Sequence, residues 1–204
     1  MLKPTAITIF TETGVLTGDP DGGKFRAGDL AVTLAERPDG GLAVEVNSDT
    51  AEVRYLQLRF AWDFAPGALF FGDAWERAYG DLHWAGHNPS RPLPWYFLSA
   101  EPERCVGFGV RVRPKAFALW YADRRGATLL LDVRNGDRGL RRAGRTLEAA
   151  EVVHAVYCDQ TPFRAAQAFC RRMSRGTLPV AQPVYGGNNW YYAYGRNCSA
   201  EQIL

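Results

Sequence analysis

From Lys3 to about Gln160 the chain is written as short extended runs punctuated by turn residues, without interleaved helices. Leu30-Ala-Val-Thr-Leu34 and Leu42-Ala-Val-Glu-Val46 flank Arg37-Pro-Asp-Gly-Gly41, a hairpin signal in which glycine supplies the positive φ of the turn. Ala116 to Tyr121 and Ala127 to Val133 flank a second such turn, Asp123-Arg-Arg-Gly126. Val53 to Phe60 alternates with period 2, which sets Val53, Tyr55 and, loosely, Gln57 against Arg54, Leu56 and Leu58. Cys105 to Val112 is another extended run, and Thr146 to Tyr157 closes the series. Many short strands at regular spacing predict a mainly β protein, an antiparallel β-sandwich.

One helix is expected, over Thr161 to Gly176. It has Thr161 at the N-cap, Pro162 in the first turn and Gly176 at the end. Phe163, Ala166, Cys170 and Met173 share a face at helical spacing, leaving Arg164, Arg171 and Arg175 to solvent. Pro179 and Pro183 then end regular structure and mark a domain boundary. Beyond it an aromatic, strand-like run, Trp190 to Tyr194, is followed by Ser199-Ala-Glu-Gln202, a capping box that opens a helix. Strand, loop and helix start are the opening of a βα unit, so the expected organisation is a sandwich over 1–160, a linker helix and connection over 161–180, and the start of a truncated (β/α)8 barrel over 181–204.

Composition sets outer limits. Hydrophobic residues make up 47% and the net charge is +2, which points to neither a nucleic-acid partner nor a membrane surface. No apolar run approaches the roughly 20 residues of a membrane-spanning helix. The four cysteines lack Cys-x-x-Cys spacing, so no zinc site, cofactor or disulfide framework is expected, and reduced thiols suit a cytoplasmic setting.

Aromatics are dense between Trp62 and Phe97, where Trp62, Trp75, Trp84 and Trp95 are mixed with Asp73, Glu76, Asp81, His83 and His87. Flat rings stack on the C–H faces of sugars while carboxylates take the hydroxyls at the edge, and the same rings equally suit a sandwich core. Several other patterns fail. Gly18 to Lys24 has the spacing of a phosphate loop, but Phe25 replaces the hydroxyl residue, Asp19 and Asp21 repel phosphate, and no helix follows. His83 and His87 are spaced as on a zinc helix, but Gly86, Pro89 and Pro92 deny the helix. The arginines from Arg134 to Arg145 read as an exposed loop, and no nucleophilic triad is arranged around Ser199 or the cysteines.

Two stretches carry a resemblance. Phe71-Gly-Asp-Ala-Trp-Glu-Arg-Ala-Tyr-Gly-Asp-Leu-His-Trp84 resembles a segment of the N-terminal sandwich of α-galactosidase-like glycoside hydrolases. Gly186-Gly-Asn-Asn-Trp-Tyr-Tyr-Ala-Tyr-Gly195 resembles the first barrel strand in glycoside hydrolase family 36 and its clan. The resemblance implies a supersandwich-like N-terminal domain of a retaining hydrolase acting on α-galactosides, with its own barrel as partner. In that family two barrel aspartates, about 5–5.5 Å apart, act as nucleophile and acid/base. Neither has a matching position here, so no catalytic residue is expected in this chain. What carries over is Trp190 and Tyr191 as a sugar-facing wall, Asn189 as a hydroxyl partner and Trp75 at the rim. Asp73 joins them as a hydroxyl-binding carboxylate. The alternative is a non-catalytic carbohydrate-binding or oligomerisation module, with a homo-oligomer among the expected partners.

Overall fold

A computed structural model describes residues 2–74, 82–141 and 143–175, together with 182, 183, 185, 186, 199 and 201. Thirteen strands form two antiparallel sheets in the described residues, and one helix packs on their outside. In chain order the strands are β1 (Ala6–Thr11), β2 (Val15–Gly18), β3 (Lys24–Ala27), β4 (Leu30–Glu36), β5 (Leu42–Asn47), β6 (Val53–Ala61) and β7 (Leu69–Gly72). They continue as β8 (Leu93–Pro94), β9 (Tyr96–Ala100), β10 (Arg104–Val110), β11 (Phe117–Asp123), β12 (Gly126–Asp132) and β13 (Leu147–Cys158), before α1 (Pro162–Met173). One sheet runs β2-β1-β6-β12-β11-β8 and the other β3-β4-β5-β13-β10-β9-β7. The expected antiparallel sandwich is what the chain forms.

Both hairpins lie where the sequence puts them. Arg37 and Gly41 pair through the backbone across a turn in which Gly40 has φ +83°. Asp123 pairs with Gly126, whose φ is +145° and whose missing Cβ leaves space for the Phe60 carbonyl. The Gly18–Lys24 segment is a turn closed by Lys24 N–H donating to the Asp21 carbonyl at 2.8 Å, with φ of +54° and +79° at Gly22 and Gly23.

The alternation in β6 departs from expectation in one place. Leu56, Leu58 and Phe60 point into the sandwich, but Arg54 is exposed and Val53 is buried instead. The cause is a shift of register: Phe10 pairs with Tyr55 and Thr11 with Val53, so Arg54 is the extra residue of a bulge.

Between the sheets lies a continuous aromatic core. Phe97 and Phe108 stack with centroids 5.1 Å apart, and Trp120, which is fully buried, meets both edge-on at 6.0 and 5.8 Å. Phe64 and Phe70 extend this cluster, and Trp62 closes one end of it against Phe108 and His154. Of the dense aromatic segment, Trp62, Phe64, Phe70 and Phe97 therefore belong to this core, where large rings contribute most to stability, whereas Phe71, Trp84 and Tyr96 pack with the outer cluster around Phe169.

The outer face of the seven-stranded sheet takes α1. Thr161 caps the helix by accepting from the Arg164 N–H at 3.4 Å, and Pro162 starts it. The face that packs is centred on Ala165, Phe169 and Met173, with Ala166 at its edge: of the predicted set Met173 and Ala166 pack, but Phe163, 68% exposed, and Cys170 do not. The reason is in β10. Gly107 and Gly109 sit on its outer face, and a Cβ at either position would come within 2.6 Å of the Phe169 ring or the Met173 sulfur. Two missing side chains cut a groove, and the helix turns its largest ring into it.

The sandwich strands end at Cys158 and the helix at Met173. The predicted barrel strand, Trp190 to Tyr194, and most of the helix start behind Ser199 lie outside the described residues. Among the described residues no helix is long and apolar enough to cross a membrane.

Candidate functional site

Where the helix ends, the outer face of the sheet opens into a depression of about 260 Å³, lined by Asp73, Trp95, Tyr96, Arg111, Arg113 and Met173 among others. A second one, about 210 Å³, lies across the 111–114 segment and shares Arg111, Arg113 and Met173 with it, adding Lys115, Glu148, Glu151 and Arg175. The pair forms one cleft with an aromatic end and a charged end.

Local structure explains the aromatic end. Leu93–Pro94 pairs in the six-stranded sheet and Tyr96–Ala100 in the seven-stranded one, so the chain changes sheets at Trp95. This is done with a left-handed backbone at a non-glycine residue: φ of Trp95 is +60°. Its carbonyl accepts from the Val110 N–H at 3.0 Å and the Trp120 indole N–H at 3.1 Å, which fixes the crossover in place. The Trp95 ring is half-buried against Phe117. Asp73 follows β7 directly and is 4% exposed, and its Oδ1 accepts from the Ala74 N–H at 2.9 Å. Cys170 belongs to the same neighbourhood. Although the residue as a whole is exposed, desolvation holds its thiol above the ordinary value, a hydrogen bond with Tyr96 works against the shift and the Asp73 charge adds to it. Such a thiol stays protonated and is a poor nucleophile.

The charged end is organised by Arg111, whose side chain is 11% exposed. Its guanidinium donates to Asp39 at 2.5 Å and to Glu151 at 3.0 Å, and also to the Arg172 carbonyl at the end of α1. Arg175 approaches the same two carboxylates at 3.3 and 3.6 Å. Desolvation opposes the Asp39 charge, but Arg111 and Arg175 prevail and hold its carboxyl below the ordinary value. Glu148 is taken by Arg37. Arg113 and Lys115 make no ion pair among the described residues.

Arg113 is also strained. Its φ is +63°, where a Cβ is disfavoured, and it precedes Pro114, which restricts the backbone further. The turn is held on both sides: Val112 N–H donates to the Met173 carbonyl at 3.1 Å and Lys115 N–H to the Ala149 carbonyl at 3.0 Å. Of the four non-glycine residues with positive φ among the described residues, Trp95 and Arg113 both line this cleft. Strain of this kind, about 1–3 kcal/mol each, persists where surrounding structure enforces it, and it gathers at ligand sites.

Of the sequence-predicted site residues, Asp73 lies in the cleft; Trp75, Asn189, Trp190 and Tyr191 lie outside the described residues. Trp95 and Tyr96 fall within the aromatic segment that the sequence marks as a candidate sugar surface, without being distinguished in it, and Arg113 carries no sequence signal. Trp95 was visible only as one tryptophan of the dense segment, and a left-handed arginine leaves no pattern in a sequence. His83 and His87 are not on a helix; His87 Nε2 lies 3.1 Å from the Ala122 carbonyl, beside a separate cavity of about 460 Å³ formed by Phe64 to Phe70 and Arg124. That cavity has neither a carboxylate nor a strained residue in its lining. Among the described residues no group of three or more metal-ligating side chains comes together.

No protein-family model matches the chain, and no curated protein matches it significantly.

Proposed function

We propose that this chain is the N-terminal, non-catalytic part of an α-galactosidase-like retaining glycoside hydrolase, acting in the cytoplasm, and that the cleft at the end of α1 is its sugar-contact surface. The observation that carries the reading is the meeting of a buried carboxylate, Asp73, with two partly exposed rings, Trp95 and Tyr96, in one depression enforced by strained backbone. A ring offers a flat apolar face to the C–H side of a sugar, and a carboxylate beside it accepts from the hydroxyls. Pre-organising such groups lowers the entropy lost on binding. The order of elements, sandwich then helix then proline-containing connection, is the order the resemblance implies. In this reading the sandwich presents sugar and cleaves nothing itself, because bond breaking needs a suitably spaced pair of carboxylates.

The test is titration of the chain with methyl α-galactoside, followed by indole NMR signals, alongside an assay on aryl α-galactosides. Binding that shifts the Trp95 indole and weakens several-fold in Trp95→Ala, about 1 kcal/mol, with no turnover, is the expected result. Absence of binding overturns the reading. Turnover abolished by Asp73→Asn would make the sandwich itself catalytic and overturn it equally.

A further inference from the structure

We infer that the cleft is built for an acidic sugar: the charged depression takes a carboxylate or sulfate substituent while the ring lies against Trp95 and Tyr96. This rests on the sugar-contact reading above and narrows its ligand.

The argument is one of charge accounting within the cleft. Its cationic groups are Arg111, Arg113, Lys115 and Arg175, and its acidic groups Asp73, Glu148 and Glu151. Glu151 is engaged by both Arg111 and Arg175, and Glu148 by Arg37 from outside the lining. Asp39 takes a further share of Arg111 and Arg175. Arg113 and Lys115 are left over, both exposed, two residues apart on a turn pinned to α1 and β13. Asp73 lines only the aromatic depression and Lys115 only the charged one, while Arg111 and Arg113 line both. Arg113, common to both linings and without an ion pair among the described residues, is the group assigned to the acidic substituent of a ring in the aromatic depression.

The backbone adds an independent point. At φ +63° glycine would be free of the penalty that arginine bears. An arginine held there against that preference, and ahead of a proline, keeps a guanidinium fork at the boundary of the two depressions. Guanidinium matches the planar pair of oxygens on a carboxylate or sulfate with two parallel N–H donors.

The experiment titrates the full chain, in buffer free of sulfate and phosphate, with galactose, galacturonate, galactose 6-sulfate and sodium sulfate. Acidic sugars are expected to bind about tenfold tighter than galactose, the gain of one charge-assisted hydrogen bond, with the advantage shrinking as salt is raised. A gain for only one of the two supports the proposal and identifies the oxyanion. In Arg113→Gly the ratio of acidic to neutral affinity should fall to about one, and the melting temperature should not fall, since strain is relieved. Lys115→Met, whose backbone is undisturbed, should lower the ratio as well. Equal binding of galactose and acidic sugars overturns the proposal and leaves the sugar reading standing. Binding of inorganic sulfate as tight as that of the acidic sugars overturns it by making the site a general anion site, as does a preference that survives both variants. If no sugar binds at all, the sugar reading itself falls and takes this one with it.

Discussion

The two faces of the seven-stranded sheet are built on opposite principles, and β10 shows both within neighbouring residues. Phe108 points inward and is fully buried, stacked on Phe97 and edge-on to Trp120. Gly107 points outward and is defined by what it lacks, since the Phe169 ring occupies the space its Cβ would need. Inside, stability comes from filling volume. Outside, it comes from leaving volume for a helix, and the cleft opens where the helix runs out. Core and site are thus two sides of one strand pair, with the inner rings holding rigid the backbone on which the outer cleft depends.

The largest way to break this comparison is to empty the inner face. Phe108→Ala removes a ring in contact with Phe64, Trp62, Phe97, Trp120 and His154, leaving a cavity that stiff neighbours cannot close. Its expected cost is about 3–5 kcal/mol, measured as a lower urea midpoint with loss of protection in both sheets together. A loss confined to α1 would mean the faces are not mechanically coupled.

Acid tests the inner face differently. His154 pairs with Phe108 across β10 and β13, and its ring centroid lies 4.8 Å from Phe108 and 5.0 Å from Trp62. Neither His154 Nε2 nor the Trp62 indole nitrogen has a hydrogen-bond partner among the described residues. Burial first, then the Arg172 charge, push its pKa from 6.5 to about 4. Between those values the unfolded chain binds the proton and the folded one does not, so stability falls as pH drops from 6.5 towards about 4. The expected loss approaches about 3 kcal/mol, and His154→Leu should remove this window. Asp123 does not confuse the reading: the hydrogen bond from Arg59 holds its carboxyl below 3.8, so its contribution is lost only at lower pH. A flat stability curve in that range for the parent chain would show that the folded imidazole is free to charge.

How much of this could be read from the chain follows the same division. The inner face obeys period 2, so strands such as Leu42–Asn47 and Gly126–Asp132 and both hairpins were legible from alternation and glycine placement alone. The exception, Arg54, arises because a bulge on the pairing with β1 adds a residue, which no single strand announces. The outer face was legible only in part. A helix at Thr161 is clear from its cap, and spacing places Met173 and Ala166 on the packing face, but apolar spacing alone cannot tell Phe163 from Phe169. The deciding information sits some sixty residues earlier, in Gly107 and Gly109, as a shape complementary to one ring. The site was the least legible. Asp73 stood out as a carboxylate among aromatics, whereas Trp95 and Arg113 matter through backbone angles imposed by a change of sheet and a pinned turn.

The smallest effects should come from the outer groove, where the two glycines can be set against each other. A methyl group at Gly107 meets three atoms of the Phe169 ring at 2.6 to 2.8 Å. That ring is fully buried and planar, so it must tilt or leave, at an expected cost of about 1–3 kcal/mol. At Gly109 the nearest atom is the Met173 sulfur, also at 2.6 Å, with ring atoms no closer than 3.0 Å. A thioether on a flexible stem can swing aside, so Gly109→Ala should cost less, under about 1 kcal/mol. Hydrogen exchange along α1 separates the cases: Gly107→Ala should lower protection from Ala165 to Met173 while β10 and β13 keep theirs. Equal destabilisation by the two substitutions would mean that the groove is elastic. The orientation of α1 would then be set by its caps and by the Arg111 contact to the Arg172 carbonyl, with the missing side chains of β10 playing no part.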